Sequence, residues 1–151
     1  MKACMHKRKI GFAEFAGICR NHGLKSTQQR FEIYSELIGS TEHPDAESVY
    51  TAIRKRMPSL SFDTVYRAMR TFEEKGAISR VSPGLERTRY DANMEPHHHF
   101  ICGKCGTIKD FYSEEFNRIS TPMEIDELGK AEYVHVEVRG LCNKCRKSKL
   151  T

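Results

Sequence analysis

The chain has 151 residues, of which 38% are hydrophobic and 30% charged, and its net charge is +5. This length allows one ordinary domain or two small ones and excludes a large enzyme core, and the composition is that of a folded protein rather than a disordered one. No stretch approaches the roughly 18 apolar residues of a membrane span, and the basic N-terminus lacks the apolar core of a signal peptide. We therefore expect a cytoplasmic protein with no membrane partner.

The charge is unevenly distributed along the chain. Residues 1–90 carry 16 Lys and Arg against 10 Asp and Glu, whereas residues 91–151 carry 9 against 10. All of the excess positive charge thus lies in the first part. This asymmetry indicates a polyanionic partner for the first part and a different task for the second.

The first part is predicted to form four short helices. They run from Gly11 to His22, from Ser26 to about Ile38, from Asp45 to Arg56 and from Ser61 to about Lys75. Ser26 and Gln29 form a capping box for the second helix, Asp45 caps the third, and Gly76 ends the fourth. On the fourth helix the apolar residues Val65, Met69 and Phe72 recur at helical spacing and are expected to face the core. The opposite face then carries Asp63, Tyr66, Arg67 and Arg70.

Two short strands are predicted next, Ala77–Val81 and Thr88–Ala92, joined by a turn at Ser82–Pro83–Gly84. Helices followed by a basic hairpin are the layout of a winged helix-turn-helix, which binds duplex DNA. We expect Tyr66 and Arg67 to contact base edges, because a tyrosine ring suits a thymine methyl group and a guanidinium suits guanine. The predicted phosphate contacts are Arg70, Arg87 and Arg89.

Residues 93–96 are predicted to be a hinge between a DNA-binding domain, residues 1–92, and a second domain, residues 97–151. The second domain is expected to mix strands and helices. Its predicted elements are strands His97–Cys102 and Thr107–Phe111, a helix from about Glu114 capped by Ser113, a break at Pro122 and a strand Ala131–Leu141. The fold class is therefore α+β, a winged helix followed by a small α/β domain.

Four of the six cysteines form two Cys-x-x-Cys pairs, Cys102 with Cys105 and Cys142 with Cys145. Neither pair alone satisfies tetrahedral zinc, but together they supply four sulfurs, a closed site that is structural rather than catalytic. Zinc there would clamp the C-terminal segment to its domain. Cys19 is interpreted as a core residue and Cys4 as a tail thiol.

The histidines are clustered at His97, His98 and His99. In an extended segment His97 and His99 point to one face and His98 to the other, so the first two could chelate a metal. Asp91 and Asp110 are the carboxylates that could join them. A solvated polar run is the alternative interpretation.

Several motifs together carry a family resemblance. They are Thr27-Gln28-Gln29-Arg30, His43-Pro44, Thr64-Val65-Tyr66-Arg67, the run from His97 to Cys102, and the two cysteine pairs. Over nearly its whole length the chain resembles the ferric uptake regulator family of metal-dependent repressors, and within it the peroxide-sensing branch. The resemblance implies a homodimer that binds operator DNA and dimerises through its second domain.

The resemblance also implies a regulatory Fe(II) or Mn(II) site. Its ligands would be His43, Asp91, His97, His99 and Asp110, and oxidation of His43 or His97 would release DNA. Iron-responsive members usually carry glutamate at the position of Asp110, so the aspartate favours the peroxide-sensing branch. His98 and His135 resemble positions of an ancillary metal site in other members.

Three other functions are alternatives to a peroxide-sensing repressor. An iron-responsive repressor of iron uptake genes shares the scaffold and differs only in its signal. A small non-haem iron oxygenase is disfavoured, because five protein ligands leave too few positions for substrate and oxygen; the protein is therefore expected not to be an enzyme. A zinc-ribbon interaction module would explain the cysteines but not the histidines and aspartates.

Overall fold

The computed structural model describes residues 8–81 and 87–148. The chain divides into two compact units between Met94 and Glu95, inside the segment 93–96 that the sequence singled out. We call the described residues up to Met94 the N-terminal unit and those from Glu95 the C-terminal unit. The predicted turn at Ser82–Pro83–Gly84 and the tail thiol Cys4 lie outside the described residues. Within the described residues, no helix is long and apolar enough to cross a membrane.

The N-terminal unit has four helices and a two-stranded antiparallel sheet, as predicted. The elements are α1 Phe12–Asn21, α2 Gln28–Ile38, α3 Ala46–Ile53, α4 Phe62–Glu74, β1 Ser79–Val81 and β2 Arg89–Asp91. Ser79 pairs with Asp91 and Val81 with Arg89 in the sheet. Helices followed by a hairpin form the winged helix-turn-helix that the pattern indicated.

Two predicted helix boundaries are wrong by a short distance. Helix α2 is capped by Thr27, whose hydroxyl accepts a hydrogen bond from the Arg30 amide at 3.3 Å, and not by Ser26. Serine and threonine are both common N-cap residues, so the local pattern does not decide between adjacent candidates. Helix α3 is capped by Asp45 as predicted but ends at Ile53 rather than Arg56, because the chain turns there.

Helix α4 agrees closely with its prediction. The Ser61 hydroxyl accepts a hydrogen bond from the Thr64 amide at 3.2 Å. At the other end Gly76 adopts a φ of +74°, a left-handed conformation that favours glycine. Val65, Met69 and Phe72 are fully buried, and each such side chain contributes about 1.5–3 kcal/mol through burial.

An aromatic cluster joins three helices of the N-terminal unit. The ring centroids of Phe15 and Tyr34 are 5.5 Å apart, those of Tyr34 and Phe72 5.5 Å, and those of Phe15 and Phe72 6.3 Å. These distances allow the edge-to-face and tilted contacts that aromatic pairs prefer. The cluster attaches α4 to α1 and α2, which leaves the polar face of α4 toward solvent.

The C-terminal unit is built on a three-stranded sheet of order β4-β3-β5. Its elements are β3 His98–Cys102, β4 Ile108–Phe111, α5 Glu114–Asn117, α6 Glu124–Leu128, β5 Glu137–Gly140 and α7 Asn143–Lys147. The Ser113 hydroxyl caps α5 as predicted. Pro122 lies in the break between α5 and α6, also as predicted.

The last strand is much shorter than the predicted strand Ala131–Leu141. Strand β5 runs parallel to β3, and its register begins where Glu137 pairs with His99. Because β3 begins at His98, whose position in this register is opposite Val136, residues before Val136 have no strand partner with which to extend the ladder. Val134 and Val138 are accordingly 41% and 38% exposed.

Candidate metal centres

The C-terminal unit brings the two cysteine pairs together. Cys102 ends β3, Cys105 follows it, Cys142 caps α7 and Cys145 lies within α7. The four sulfur atoms all lie within 4.8 Å of one another, and those of Cys105 and Cys142 are 3.7 Å apart. Four thiols at such distances fit tetrahedral coordination of one zinc ion.

Backbone hydrogen bonds shape this cluster. The Gly106 amide donates to the carbonyl of Cys102 at 2.9 Å, and Gly106 has a φ of +70° that permits the tight turn. The Cys142 amide donates to the sulfur of Cys102 at 3.3 Å. The pKa of Cys102 is lowered to about 6, and this hydrogen bond is the largest cause. The pKa of Cys145 is instead raised to about 12, mainly because its thiol is hydrogen-bonded to Cys105. The cluster thus favours a thiolate at Cys102 and retains a proton on Cys145, which a divalent cation would displace.

The N-terminal unit holds a buried imidazole–carboxylate pair. Nε2 of His43 lies 3.3 Å from Oδ2 of Asp91, and the side chains are only 3% and 6% exposed. The other carboxylate oxygen of Asp91 accepts a hydrogen bond from the Asn93 amide at 2.7 Å. A carboxylate is rarely buried unless it is paired or binds a metal, so this pair is a credible donor group.

The loop that carries His43 is held by β2. His43 has a φ of +51°, a left-handed conformation that costs a non-glycine residue about 1–2 kcal/mol. The Arg89 guanidinium donates to the carbonyl oxygens of Glu42 and His43, and the Tyr90 amide donates to that of Pro44 at 3.2 Å. The structure therefore shows that Arg89, for which the sequence predicts a phosphate contact, also holds the loop of His43.

The C-terminal unit holds a second donor group, His97, His99 and Asp110. His99 and Asp110 are directly opposite each other on β3 and β4. The Nε2 atoms of His97 and His99 are 3.0 Å apart, and they lie 3.8 Å and 3.4 Å from Oδ1 of Asp110. The three side chains are at most 11% exposed. The predicted face shared by His97 and His99 is present.

The hydrogen-bond partner of His97 defines its tautomer. Nδ1 of His97 lies 2.6 Å from the carbonyl oxygen of Glu95, which can only accept a hydrogen bond. The proton therefore sits on Nδ1, and the lone pair of Nε2 points to His99 and Asp110. Two imidazole nitrogens and a carboxylate oxygen so arranged can coordinate a divalent cation.

His98 and His135, the predicted ancillary ligands, have different hydrogen-bond partners. Nδ1 of His98 accepts a hydrogen bond from the Val136 amide at 3.3 Å, and its Nε2 donates to Oδ1 of Asn117 at 3.0 Å. Both ring nitrogens of His98 are thus hydrogen-bonded within the unit. Nε2 of His135 instead lies 3.0 Å from Nδ1 of His99, a contact that the sequence did not reveal.

The exposed face of α4 carries the predicted nucleic-acid contacts. Tyr66 is 47% exposed, and its ring stacks on that of Phe62 at 6.3 Å. The sequence analysis overlooked Phe62, although its spacing of four residues from Tyr66 places both rings on one face. On this face Arg67 and Arg70 form surface ion pairs with Asp63 and Glu74. Arg87, which precedes β2, pairs with Asp45 and Glu47 at the start of α3. Such exposed pairs are weak enough to exchange for a phosphate or a base.

Comparison with known proteins identifies the family of this chain. The model of the ferric uptake regulator family matches residues 21–139. The chain belongs to that family. The peroxide-responsive repressor PerR of Staphylococcus epidermidis is 31% identical over 127 residues, which are 84% of this chain and 85% of that protein.

Solved structures of ferric uptake regulators and their relatives share the fold. The Helicobacter pylori ferric uptake regulator Fur, described as having three functional metal binding sites, matches with a TM-score of 0.70 at 26% identity, over 93% of this chain and 97% of that one. The Campylobacter jejuni peroxide stress regulator matches with a TM-score of 0.66 at 28% identity, over 90% and 100%. The family is one of transcriptional regulators rather than enzymes.

Proposed function

We propose that this protein is a metal-dependent repressor that releases its operator when peroxide oxidises a histidine of its regulatory site. It would act as a homodimer on duplex DNA in the cytoplasm. The observation that carries the proposal is the pair of buried donor groups, His43 with Asp91 and His97 with His99 and Asp110. The 31% identity to a peroxide-responsive repressor supports the choice of signal.

We assign one regulatory cation to these two donor groups. Three imidazoles and two carboxylates suit Fe(II) or Mn(II) better than tetrahedral zinc, and five ligands leave one octahedral position vacant. Two hydrogen bonds support this assignment. The Glu95 carbonyl fixes the His97 tautomer, and the Asn93 amide donates to the Asp91 oxygen that does not face His43. We assign zinc to the four cysteines, where it would stabilise the C-terminal unit.

The distribution of the donors suggests how metal would control DNA binding. His43 and Asp91 belong to the N-terminal unit, and His97, His99 and Asp110 belong to the C-terminal unit. A cation that took ligands from both would select one arrangement of the two units. In a dimer this would set the separation of the two α4 helices, which has to match the spacing of the half-sites. A coupling of about 1–3 kcal/mol changes DNA affinity roughly 5- to 150-fold.

Peroxide would act on the ligands themselves. An Fe(II) ion held by these five ligands would supply the redox chemistry that activates peroxide. In the net reaction the imidazole ring would lose two electrons to hydrogen peroxide and gain one of its oxygen atoms, and the other oxygen would leave as water. His43 and His97 are the expected targets. An oxidised ring is a poorer ligand, so the site would lose its cation and the repressor its DNA. Mn(II) would support binding without this sensitivity.

The α4 face supports duplex DNA as the ligand of the N-terminal unit. We propose that Tyr66 and Arg67 contact bases and that Arg70 and Arg87 contact phosphates. Each arginine would exchange an exposed carboxylate partner for DNA, which costs little because such pairs contribute only about 0–1 kcal/mol. Arg89 is left out of this set, because its guanidinium holds the His43 loop.

The decisive experiment measures DNA binding by the Fe(II) and Mn(II) forms before and after micromolar peroxide. The probe is a duplex selected from random sequence by the Mn(II) form. We expect both forms to bind and only the Fe(II) form to release, with one added oxygen atom on a peptide that contains His43 or His97. Peptides with His22 serve as the internal control. Unmodified His43 and His97 in an Fe(II) form that retains DNA would overturn the peroxide proposal.

The same experiment tests the second candidate, an iron-responsive repressor. The structural similarity to a ferric uptake regulator favours it, since the same scaffold carries both functions. Such a repressor would respond to Fe(II) concentration and stay on DNA after peroxide. Asp110 favours peroxide sensing, because the resemblance associates glutamate at this position with iron-responsive members.

A further inference from the structure

We propose that His135 is a positioning residue for His99 and not a metal ligand. It accepts a hydrogen bond from Nδ1–H of His99 and thereby directs the Nε2 lone pair of His99 toward the regulatory cation. This inference rests on the proposed regulatory site, and it adds a residue to that site from the segment before β5.

The two ring nitrogens of His99 have different neighbours. Nε2 lies 3.0 Å from Nε2 of His97 and 3.4 Å from Oδ1 of Asp110. Nδ1 lies 3.0 Å from Nε2 of His135. A neutral imidazole carries one proton and one lone pair. If Nε2 supplies the lone pair to a cation, the proton sits on Nδ1 and points at His135.

His135 is suited to accept that proton. Its Nε2 atom is the one that faces His99, and an unprotonated ring nitrogen is a good acceptor. Metal-bound histidines generally donate their second N–H to a carbonyl, a carboxylate or water, which fixes the ring and raises its basicity. His97 follows this rule through the Glu95 carbonyl. His99 follows it through a side chain.

The backbone explains why His135 reaches this position. The His99 amide donates to the carbonyl of Val136 at 3.3 Å, and Glu137 is the register partner of His99 on β5. His135 therefore lies beside His99, in the segment that leads into β5. The two rings lie 5.0 Å apart between centroids with an interplanar angle of 47°.

The neighbouring His98 argues against a second cation at His135. Both nitrogens of His98 are engaged, by the Val136 amide and by Asn117. The Nε2 atom of His135 is directed at a ring that already belongs to the proposed regulatory site. One regulatory cation, bound by His99 with His135 as its hydrogen-bond partner, therefore explains these contacts without a second cation.

The test uses the full-length protein with zinc retained. His135→Leu removes the acceptor, His135→Gln restores an acceptor oxygen, and Tyr133→Leu is a matched control in the same segment, since Tyr133 is 84% exposed. Mn(II) affinity is measured from free Mn(II) by electron paramagnetic resonance. We expect His135→Leu to weaken binding roughly 10- to 100-fold, the usual effect of losing an outer partner. His135→Gln should stay within about threefold of wild type, and Tyr133→Leu should have no effect.

Two further measurements separate this inference from the proposed function. With a diamagnetic divalent cation in the regulatory site, imidazole ¹⁵N spectra should show a hydrogen-bonded Nδ1–H of His99 in wild type. This signal should shift in His135→Leu and return toward its wild-type position in His135→Gln. The visible spectrum of the Co(II) form should change in His135→Leu and recover in His135→Gln. If wild type binds no Mn(II), the proposed site fails, whereas the Nδ1–H signal tests the His99–His135 bond itself.

Three outcomes would overturn the inference. Unchanged Mn(II) affinity and an unchanged His99 Nδ1–H signal in His135→Leu would show that the bond has no role. A defect in His135→Gln equal to that of His135→Leu would show that the imidazole is itself required as a ligand. Loss of one whole equivalent of bound Mn(II) in both variants would reveal a second cation site.

Discussion

Arg89 donates hydrogen bonds to the backbone carbonyl oxygens of Glu42 and His43. It lies on β2, two residues before Asp91, whose carboxylate faces the His43 ring at 3.3 Å. One short strand therefore carries both a proposed ligand and the side chain that holds the loop of another. Because His43 is in a left-handed conformation, its loop needs such an external restraint.

Arg89→Ala is expected to weaken Mn(II) binding by about tenfold, which is about 1.4 kcal/mol and close to the value of a charged hydrogen bond. At saturating Mn(II) the variant should bind DNA nearly as well as wild type. Calorimetric titration with Mn(II) and a DNA-binding curve at high Mn(II) provide the two readouts. The control is Arg80→Ala, which removes an exposed arginine from β1 that pairs with Glu73. Weaker DNA binding with unchanged Mn(II) affinity would restore the phosphate role that the sequence suggested.

The sequence predicted the elements better than the details of their contacts. Val65, Met69 and Phe72 were assigned to the core from spacing alone and are fully buried. Arg89 could not be placed in the same way. An arginine on a basic hairpin has the same local pattern whether it faces solvent or a loop distant in sequence, and only the pairing of β2 with the Pro44 loop decides between them.

Thr27→Ala is expected to lower the free energy of unfolding by about 1 kcal/mol, because it removes the cap of α2. Ser26→Ala should change it by less than about 0.5 kcal/mol, since surface substitutions away from caps are nearly neutral. Urea unfolding of the two variants, followed by circular dichroism, measures the difference. The comparison is direct because both residues are small hydroxyl side chains next to each other. A larger loss for Ser26→Ala would mean that the helix begins where the sequence pattern placed it.

The donor groups show a similar limit to what can be predicted from the sequence. Alternation along an extended segment predicted that His97 and His99 share a face, and their Nε2 atoms meet at 3.0 Å. The same rule put His98 on the other face but could not reveal that Asn117 and the Val136 amide occupy both of its nitrogens. These partners come from elements far along the chain. Spacing thus identifies which residues face together, while hydrogen bonding across the fold decides which remain able to bind metal.

Removal of zinc is expected to destabilise the C-terminal unit. Cys105→Ser, or a strong chelator, should detach the segment of Cys142 and Cys145 from β3, because the sulfur cluster holds them together. Structural zinc contributes about 10–16 kcal/mol of apparent binding free energy in small domains, so its loss is not offset by a sheet of three short strands. The readouts are zinc content, thermal unfolding and the number of reactive thiols, which should rise by about four on chelation. Cys4→Ser is the control and should retain full zinc; unchanged thermal unfolding after zinc loss would refute a structural role.

Arg67 and Arg70 should respond differently to substitution if α4 reads DNA as proposed. Arg67→Ala is expected to cost about 1–3 kcal/mol on the selected duplex and to relax preference at one position. Arg70→Ala should weaken binding to all duplexes about evenly and reduce the salt slope by about one.

Asp63→Asn is expected to strengthen DNA binding rather than weaken it. Asp63 holds the Arg67 guanidinium at 2.9 Å, so its neutralisation should free the arginine and tighten binding, by no more than the roughly 1 kcal/mol that an exposed pair is worth. Equal losses for Arg67→Ala on all duplexes, with the salt slope reduced, would move Arg67 from the bases to the backbone.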